Sequence, residues 1–272
     1  MAKEKIEGDD RLSALSVYKI VAAEGRHELA RDSVSIAWSA LAAGIAISFS
    51  LIAEAALRAH LPDADWRHLV ESFGYTAGFL LVILCRLQLF TENTITPVLP
   101  ALESPTFACI GGTFRIWTIS LVFNLLGGAA AAYLIVYGGI IPSEMTAAAL
   151  DISRHVEKFT ASETFMRAIP AGFIIAALVW MLPNSKGFEF WTVFLFVYLI
   201  ALGDFAHVIV GSVELFTLVW NGEVSLMKVA AVNIAPALAG NLLGGTGLFA
   251  LLAWAQVKED MEDEEQEKSE TG

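Results

Sequence analysis

Six long apolar stretches dominate the pattern of hydrophobic and polar positions along this chain. Each has about the 17 to 25 residues, or somewhat more, that a helix needs to cross ~30 Å of hydrocarbon. They lie at residues 33–57, 73–97, 113–141, 164–182, 188–218 and 229–256. The pattern therefore predicts an all-α membrane protein with six transmembrane helices.

Polar residues interrupt the second and the fifth of these stretches. The fifth carries Asp204 and His207 near its centre, and the second carries a polar run at residues 88–94. An ionisable side chain at that depth costs roughly 2.5 to 3.5 kcal/mol when charged, so it indicates a functional site. A histidine that joins two helices by a hydrogen bond is the structural alternative. We predict two broken helices, with Glu92, Asn93 and Asp204 supporting the breaks.

A literal repeat relates the two halves of the chain. Asn-Leu-Leu-Gly-Gly at residues 124–128 recurs at 241–245, and the offset of 117 also superposes Phe90 on His207. Interrupted helices at corresponding positions of two halves indicate a transport site near the membrane midplane. Because each half has three spans, the halves enter the membrane in opposite senses, which predicts an inverted repeat.

Small and amide residues flank the predicted breaks. Asn124 and Asn241 are ambiguous, but capping the free backbone groups of the neighbouring broken helix suits both, because an amide in hydrocarbon must find partners. The glycines at positions 44, 127, 172 and 244 are assigned to close helix packing.

Composition and charge define the domain limits. The chain is 56% hydrophobic and 17% charged, with a mean hydropathy of +0.61, which excludes a soluble globular protein. We predict an N-terminal segment at 1–32 with an amphipathic helix over 11–31, a channel domain at 33–257 with repeats at 33–141 and 164–256, and an acidic, disordered tail at 258–272. The tail supplies much of the net charge of −12, which argues against nucleic acid as a partner.

The distribution of basic residues predicts the orientation. With the N-terminus inside, eleven Lys and Arg fall on the inner side and six on the outer side, so both termini are predicted to be cytoplasmic. No cleavable signal peptide is expected at the start. Cys85 and Cys109 lack metal-ligand spacing, and neither a cofactor nor a metal is predicted.

Several motifs resemble those of the formate/nitrite transporter family. They are Leu-Phe-Thr at 89–91 with Asn-Thr at 93–94 in its second helix, the stretch 167–180 in its fourth, Phe-Ala-His at 205–207 in its fifth, and Asn-Ile-Ala-Pro at 233–236 with Gly-Asn-Leu-Leu-Gly-Gly at 240–245 in its sixth. The likeness covers roughly residues 30–257. It implies an aquaporin-like protomer in the lipid bilayer of a bacterial-type inner membrane, a homopentamer with one pore per subunit, and small monovalent anions of weak acids as substrates.

The resemblance also implies roles for individual residues. Thr91 and His207 would form the polar centre of the pore. The apolar constrictions would be formed by Leu89 and Phe90 on the inner side and by Phe79 and Ile200 on the outer side. Lys158 looks like a vestibular lysine that attracts anions.

The chain departs from the family pattern at several positions. Ala206 replaces a glutamate, Gly172 and Gly211 replace asparagines, Glu92 replaces a glycine, Gln88 replaces an acid, and Arg86 replaces a small residue. These differences resemble the divergent YfdC-like branch. Specificity for formate or nitrite is therefore not implied.

The physical chemistry of such a pore favours a protonated substrate. A bare anion loses its hydration in an apolar constriction at a cost of many kcal/mol, whereas a neutral acid loses only hydrogen bonds. Histidine titrates near physiological pH, so a proton exchanged near His207 and Thr91 would let the acid cross in neutral form. The substrate partners are therefore a small anion and protons.

Other functions compete with this hypothesis. If Arg86 faces the pore, a halide becomes a candidate; if Arg86 is buried against an acid such as Glu54, this alternative fails. A neutral-solute channel would share the aquaporin-like architecture. An intramembrane enzyme using His207 with Asp204 or Glu214 lacks a nucleophile and base, so we predict that the chain is not an enzyme.

Overall fold

The computed structural model describes residues 11–271, and helices dominate this part of the chain. Predictions for residues 1–10 and for Gly272 lie outside the described residues. The helices are α1 (Ala14–Ala30), α2 (Ser33–His60), α3 (Arg67–Leu84), α4 (Val98–Glu103), α5 (Phe107–Tyr137), α6 (Ser143–Glu157), α7 (Ala161–Met181), α8 (Glu189–Leu202), α9 (Val208–Trp220), α10 (Leu226–Val229), α11 (Ala235–Leu242) and α12 (Leu251–Thr271). Short 3₁₀ turns lie at Glu92–Thr94 and Leu182–Asn184.

Four helical segments are long and apolar enough to cross a membrane. They are Ser33–His60, Phe107–Tyr137, Ala161–Asn184 and Leu226–Glu264. The last of these joins α10, α11 and α12 through π-helical turns at Ala230–Ile234 and Leu243–Ala250. The helices α8 and α9 are apolar but shorter. All six apolar stretches of the sequence are therefore helical, and the second and fifth are broken as predicted.

Side-chain caps fix where several helices begin. The side chains of Ser13, Asp32 and Thr106 accept hydrogen bonds from backbone amides in the first turns of α1, α2 and α5. Thr160 and Glu163 form a reciprocal capping box at the start of α7. The first amides of a helix have no hydrogen-bond partner inside it. These caps supply such a partner at the starts of α1, α2, α5 and α7.

The helix α6, between the two halves, is absent from the sequence prediction. It is amphipathic and buries Ala148, Ala149 and Ser153. The buried side packs against α2 and α9, and Ser153 Oγ lies 2.9 Å from Thr217 Oγ1 of α9. A surface helix thus covers one end of the bundle, here called the cavity face, while α1 covers the opposite end, here called the α1 face.

The acidic tail differs from the prediction of disorder. It continues α12 as helix to Thr271. Glu and Lys are good helix formers, and extending a helix that already exists avoids the cost of nucleation. Lys258 lies 3.6 Å from Glu262 one turn later, and Glu264 pairs with Lys19 of α1. The tail therefore lies beside α1 at the α1 face.

Two glycines allow the helices to pack backbone against backbone. A Cβ atom on Gly44 would collide with the carbonyl oxygen of Asn124, and one on Gly172 would collide with that of Asn241. Only glycine allows such an approach between α2 and α5 and between α7 and α11. The assignment of these glycines to packing is confirmed.

Gly172→Ala tests this close approach. The added methyl group would push α7 away from α11, and we expect a loss of about 1–3 kcal/mol in the free energy of unfolding. The loss of stability is measured as a lower melting temperature in detergent, with gel filtration used to monitor the folded fraction. Gly111→Ala is the control, because nothing lies within 4 Å of its Cβ position. Equal melting temperatures for the two variants would contradict the packing role.

Candidate functional site

The two helix breaks have the same local geometry. Arg86 follows the end of α3 with φ of 54°, and Asp204 follows the end of α8 with φ of 51°. In each break the next amide donates to the carbonyl five residues earlier, at 2.9 Å and 3.0 Å. A left-handed residue with this hydrogen bond is a common way to end a helix. The chain thus turns into the protein interior twice in the same manner.

Asn124 of α5 holds the first break. Its Oδ1 accepts from the amide of Phe90 at 2.8 Å, and its Nδ2 donates to the carbonyls of Gln88 at 2.9 Å and Ala40 at 2.7 Å. The buried amide therefore satisfies two backbone groups of the break and ties it to α2.

Asn241 of α11 makes the equivalent contacts at the second break. Its Oδ1 accepts from the amide of Val208 at 2.9 Å, and its Nδ2 donates to the carbonyls of Ala206 at 2.9 Å and Ala168 at 2.8 Å. Both asparagines therefore bind backbone groups of the breaks through their side chains, as predicted.

The register between the breaks differs by one residue from the sequence interpretation. Asn124 and Asn241 are 117 apart, but their amide partners Phe90 and Val208 are 118 apart. Leu89 rather than Phe90 therefore corresponds to His207, and the earlier superposition is wrong. The reason is that the segment between the break and the capping asparagine is one residue shorter in the second half.

Thr91 and His207 meet where the two breaks come together. Thr91 Oγ1 lies 2.7 Å from His207 Nε2, and both residues are buried. One group comes from each half of the chain, 116 residues apart. The structure thus brings the two predicted polar residues into direct contact.

The backbone constrains the imidazole of His207. His207 is the N-cap of α9, and its Nδ1 accepts from the amide of Val210 at 3.3 Å. An imidazole nitrogen that accepts carries no hydrogen, so this bond assigns the hydrogen to Nε2, which then donates to Thr91. The Thr91 hydroxyl hydrogen remains free for another acceptor. A second proton, on Nδ1, would remove the acceptor and so break the hydrogen bond that caps α9.

Apolar side chains surround this polar pair. Phe79 packs its ring edge-to-face on His207, with centroids 4.9 Å apart. Leu89, Phe90 and Ile200 are almost completely buried in the same hydrophobic cluster. The four residues predicted to form constrictions therefore share one core with the central pair.

A cavity of about 370 Å³ opens from the cavity face and reaches His207. Ile200 lines it, while Thr91, Leu89 and Phe90 do not. Asp204 lines its wall and lies 3.4 Å from His155 of α6, rather than supporting His207 directly. The cavity is therefore a vestibule that ends at the imidazole.

On the other side of the pair, polar residues of the first break form a network. Asn93 donates to Gln88 and to Ser120, each at 3.0 Å, and Gln88 donates to Glu28 of α1 at 2.6 Å. Glu92 has one buried carboxylate oxygen without a hydrogen-bond partner in the described chain. The network ties the first break to α1.

The two predicted cationic residues lie away from the centre. Arg86 has 78% of its side chain exposed and pairs with Glu24 at the α1 face. It therefore neither lines the cavity nor is buried against Glu54, the two alternatives that the sequence left open. The left-handed turn that ends α3 directs this side chain outward. Lys158 is exposed at the end of α6, next to Phe159, which lines the cavity.

A family model for the formate/nitrite transporter matches residues 15–255, most of the chain. The chain belongs to the formate/nitrite transporter family. It is therefore a transport protein rather than an enzyme, as predicted.

Two relatives and two structures illustrate the likeness to this family. The inner membrane protein YfdC of Escherichia coli (strain K12) is 41% identical over 95% of this chain and 84% of its own length, which confirms the predicted divergent branch. The formate channel FocB of the same organism is 25% identical over 92% of this chain and 96% of its own length. An FNT family ion channel aligns with a TM-score of 0.79 at 18% identity, covering 89% of this chain and 99% of its own. A pentameric formate channel with formate bound aligns at 0.68 and 17% identity, covering 82% of this chain and 96% of its own.

Sequence reasoning assigned no site role within this transporter to Glu54, Glu214 or Asn233, which all line the cavity. The signal was present, because Glu54 and Glu214 are charged residues within apolar stretches. The sequence could not show that they face one vestibule, since they are 160 residues apart.

Asn241→Leu tests the support of the second break. Three backbone groups would lose their partner in a buried place, so we expect a loss of about 3 kcal/mol or more in the free energy of unfolding. Thermal unfolding in detergent measures it, with the exposed Asn221→Leu as the control. An unchanged melting temperature for Asn241→Leu would show that the break does not need its amide cap.

Proposed function

We propose that this protein is a channel for small monovalent anions of weak acids, which pass its centre as the neutral acid. The contact between Thr91 and His207, enclosed by apolar side chains at the meeting point of two broken helices, carries this proposal. The relatives named as formate channels support the substrate class. Formate, nitrite and similar anions are the candidates.

The apolar surroundings decide the form in which the substrate crosses. Phe79, Leu89, Phe90 and Ile200 offer no hydrogen bonds to replace the water around an anion. Removing an ion from water costs several kcal/mol or more even after relaxation, whereas a neutral acid loses only its hydrogen bonds. A substrate that takes up a proton before this region avoids most of the cost.

The cap on α9 limits what His207 contributes. The neutral imidazole donates from Nε2 to Thr91, which leaves the Thr91 hydroxyl hydrogen for an oxygen of the substrate. Giving away the Nε2 hydrogen would leave an anionic ring, and taking a second proton would break the cap. His207 thus orients and polarises Thr91, while the proton comes from the cavity side.

Six membrane crossings in two inverted repeats fit this pore. The matched asparagine contacts, the matched left-handed turns and the equivalent glycines support the repeat, because each has a counterpart in the other half. An aquaporin-like arrangement follows if α3 with α4 and α8 with α9 each count as one broken span.

Orientation and assembly follow from charge and likeness. Arg26 and Arg86 pair with acids at the α1 face, whereas Arg154 and Lys228 pair with acids at the cavity face. With the excess of basic residues inside, the α1 face and both termini are cytoplasmic. An inner-membrane homopentamer is the corresponding assembly, supported by YfdC and by the pentameric formate channel.

A panel of fluxes into proteoliposomes tests the function. Uptake of formate, nitrite, acetate, lactate, hydrosulfide and chloride is measured across a pH series. We expect weak-acid uptake to rise on acidification, because the protonated fraction rises, and chloride uptake to be absent. A glycerol or water flux with no anion flux would instead support a neutral-solute channel.

Two substitutions of His207 separate its roles. Asparagine can cap a helix but cannot donate to Thr91 as the imidazole does, whereas phenylalanine does neither. We expect His207→Asn and His207→Phe to lower weak-acid uptake about tenfold, as loss of a contact worth about 1.4 kcal/mol would. Only His207→Phe should also lose about 1 kcal/mol of stability. Wild-type pH-dependent uptake by His207→Asn would remove the imidazole from the mechanism.

The position of Arg86 bears on the halide alternative. Because this guanidinium is exposed and paired with Glu24, we expect Arg86→Gln to leave weak-acid uptake within about twofold of wild type and to create no chloride flux. Arg26→Gln, which removes another exposed arginine at the same face, is the matched control. A chloride flux that ignores pH and disappears in Arg86→Gln would support the halide channel.

A further inference from the structure

The deep part of the cavity holds polar side chains without partners. Glu54 of α2, Glu214 of α9 and Asn233 near α10 are 8%, 4% and 2% exposed, and all three line the cavity. Glu54 Oε2 and both amide atoms of Asn233 have no hydrogen-bond partner in the described chain. In the same part of the chain no ion pair reaches the carboxyl group of Glu54 or Glu214.

The arginines of the cavity already have other partners. Arg58 lies 3.2 Å from Asp151 and 3.8 Å from Glu71. Arg67 lies 2.8 Å from Glu71 and 3.1 Å from Asp63. Both guanidinium groups are therefore engaged near the mouth and do not form ion pairs with the two deep carboxyl groups.

The other titratable groups around the cavity either contact other residues or are exposed. His155 faces Asp204, His207 contacts Thr91, and the Tyr75 ring packs on Phe79 with centroids 5.5 Å apart. Asp65 and His68 are exposed residues of the lining. Within the described chain, therefore, no cationic side chain of the lining forms an ion pair with Glu54 or Glu214.

Two buried carboxylates without an ion-pair partner are costly. Each loses hydration, and the two repel one another in a region of low dielectric constant. A proton on either carboxyl group removes one charge and provides an O–H donor. The Nδ2 of Asn233 provides a second kind of donor on the same wall.

We propose that Glu54, Glu214 and Asn233 form a binding site for a small carboxylate that shares the proton of the carboxyl pair. This inference rests on the proposed function and names the source of the proton. A carboxylate has two oxygens that accept hydrogen bonds, which suits an O–H and an amide N–H as donors. Chloride cannot take up the proton, so the site selects weak acids.

The proton transfer balances as follows. The O–H bond of the protonated Glu54 or Glu214 breaks, and a new O–H bond forms on the bound anion. The neutral acid moves toward His207 and leaves the donor group ionised, so that both Glu54 and Glu214 are carboxylates at this stage. A proton from the solution at the cavity mouth restores the pair, so one anion and one proton cross together.

Initial rates of radiolabelled formate uptake into proteoliposomes test the site between about pH 5 and pH 8. Asn233→Leu removes one donor, and we expect the half-saturating formate concentration to rise about tenfold. The double variant Glu54→Gln with Glu214→Gln keeps the shape but cannot transfer a proton. It should lose most of the wild-type increase in rate on acidification.

Glu223→Gln is the matched control. Hydrogen bonds from Arg154 at 2.8 Å and 2.7 Å lower the pKa of the Glu223 carboxyl group, which lies in the loop after α9 and outside the cavity lining. Its formate uptake should match wild type. Gel filtration of each variant before reconstitution shows that the protein is folded.

The outcomes distinguish this site from the proposed function. If wild type takes up formate and the variants keep both its half-saturation and its pH response, the site is wrong and the function stands. If wild type takes up no weak acid at any pH, both are wrong. Uptake of radiolabelled methylammonium that both glutamine substitutions abolish would identify a cation site and overturn the proposal.

Discussion

The structure depends on one constraint: a helix broken inside a membrane must find partners for its free backbone groups. Water is absent there, and each unpaired group costs several kcal/mol. Asn124 and Asn241 meet this requirement with two hydrogen bonds each to the break, and a third ties each break to a neighbouring helix. Gly44 and Gly172 let the capping helices come close enough for these bonds to form. The breaks are therefore held by the packing of whole helices.

This support determines the chemistry at the centre. The second break begins a new helix at Val208, and His207 caps it with one ring nitrogen while the other contacts Thr91. The same imidazole thus caps α9 and orients the Thr91 hydroxyl group. Because both nitrogens are occupied, the ring is better suited to orient Thr91 than to move protons. If the substrate crosses as the neutral acid, as proposed, the proton donor must then lie elsewhere on its path.

The vestibule supplies acidic groups where an anion pathway would be expected to supply bases. Arg58 and Arg67 are held by neighbouring acids, and Glu54 and Glu214 lie deeper without such partners. Ionised carboxylates would repel an anion, whereas protonated ones would bind it. Two of the departures from the family pattern, Ala206 and Gly211, line the same cavity. The chain thus belongs to the transporter family but differs from the family pattern at residues that line this cavity.

The sequence by itself determined the apolar stretches and the two breaks, because hydrophobic periods and misplaced polar residues are local signals. The central pair, Thr91 and His207, was expected from the family resemblance, and the structure brings the two side chains together. The repeated Asn-Leu-Leu-Gly-Gly located the capping asparagines. The sequence did not reveal that Arg86 pairs with Glu24, or that Leu89 rather than Phe90 corresponds to His207. It also did not reveal that Glu54, Glu214 and Asn233 line one cavity. Only the tertiary structure decided these, because the end of a helix sets the direction of a side chain and packing brings together residues that are far apart along the chain.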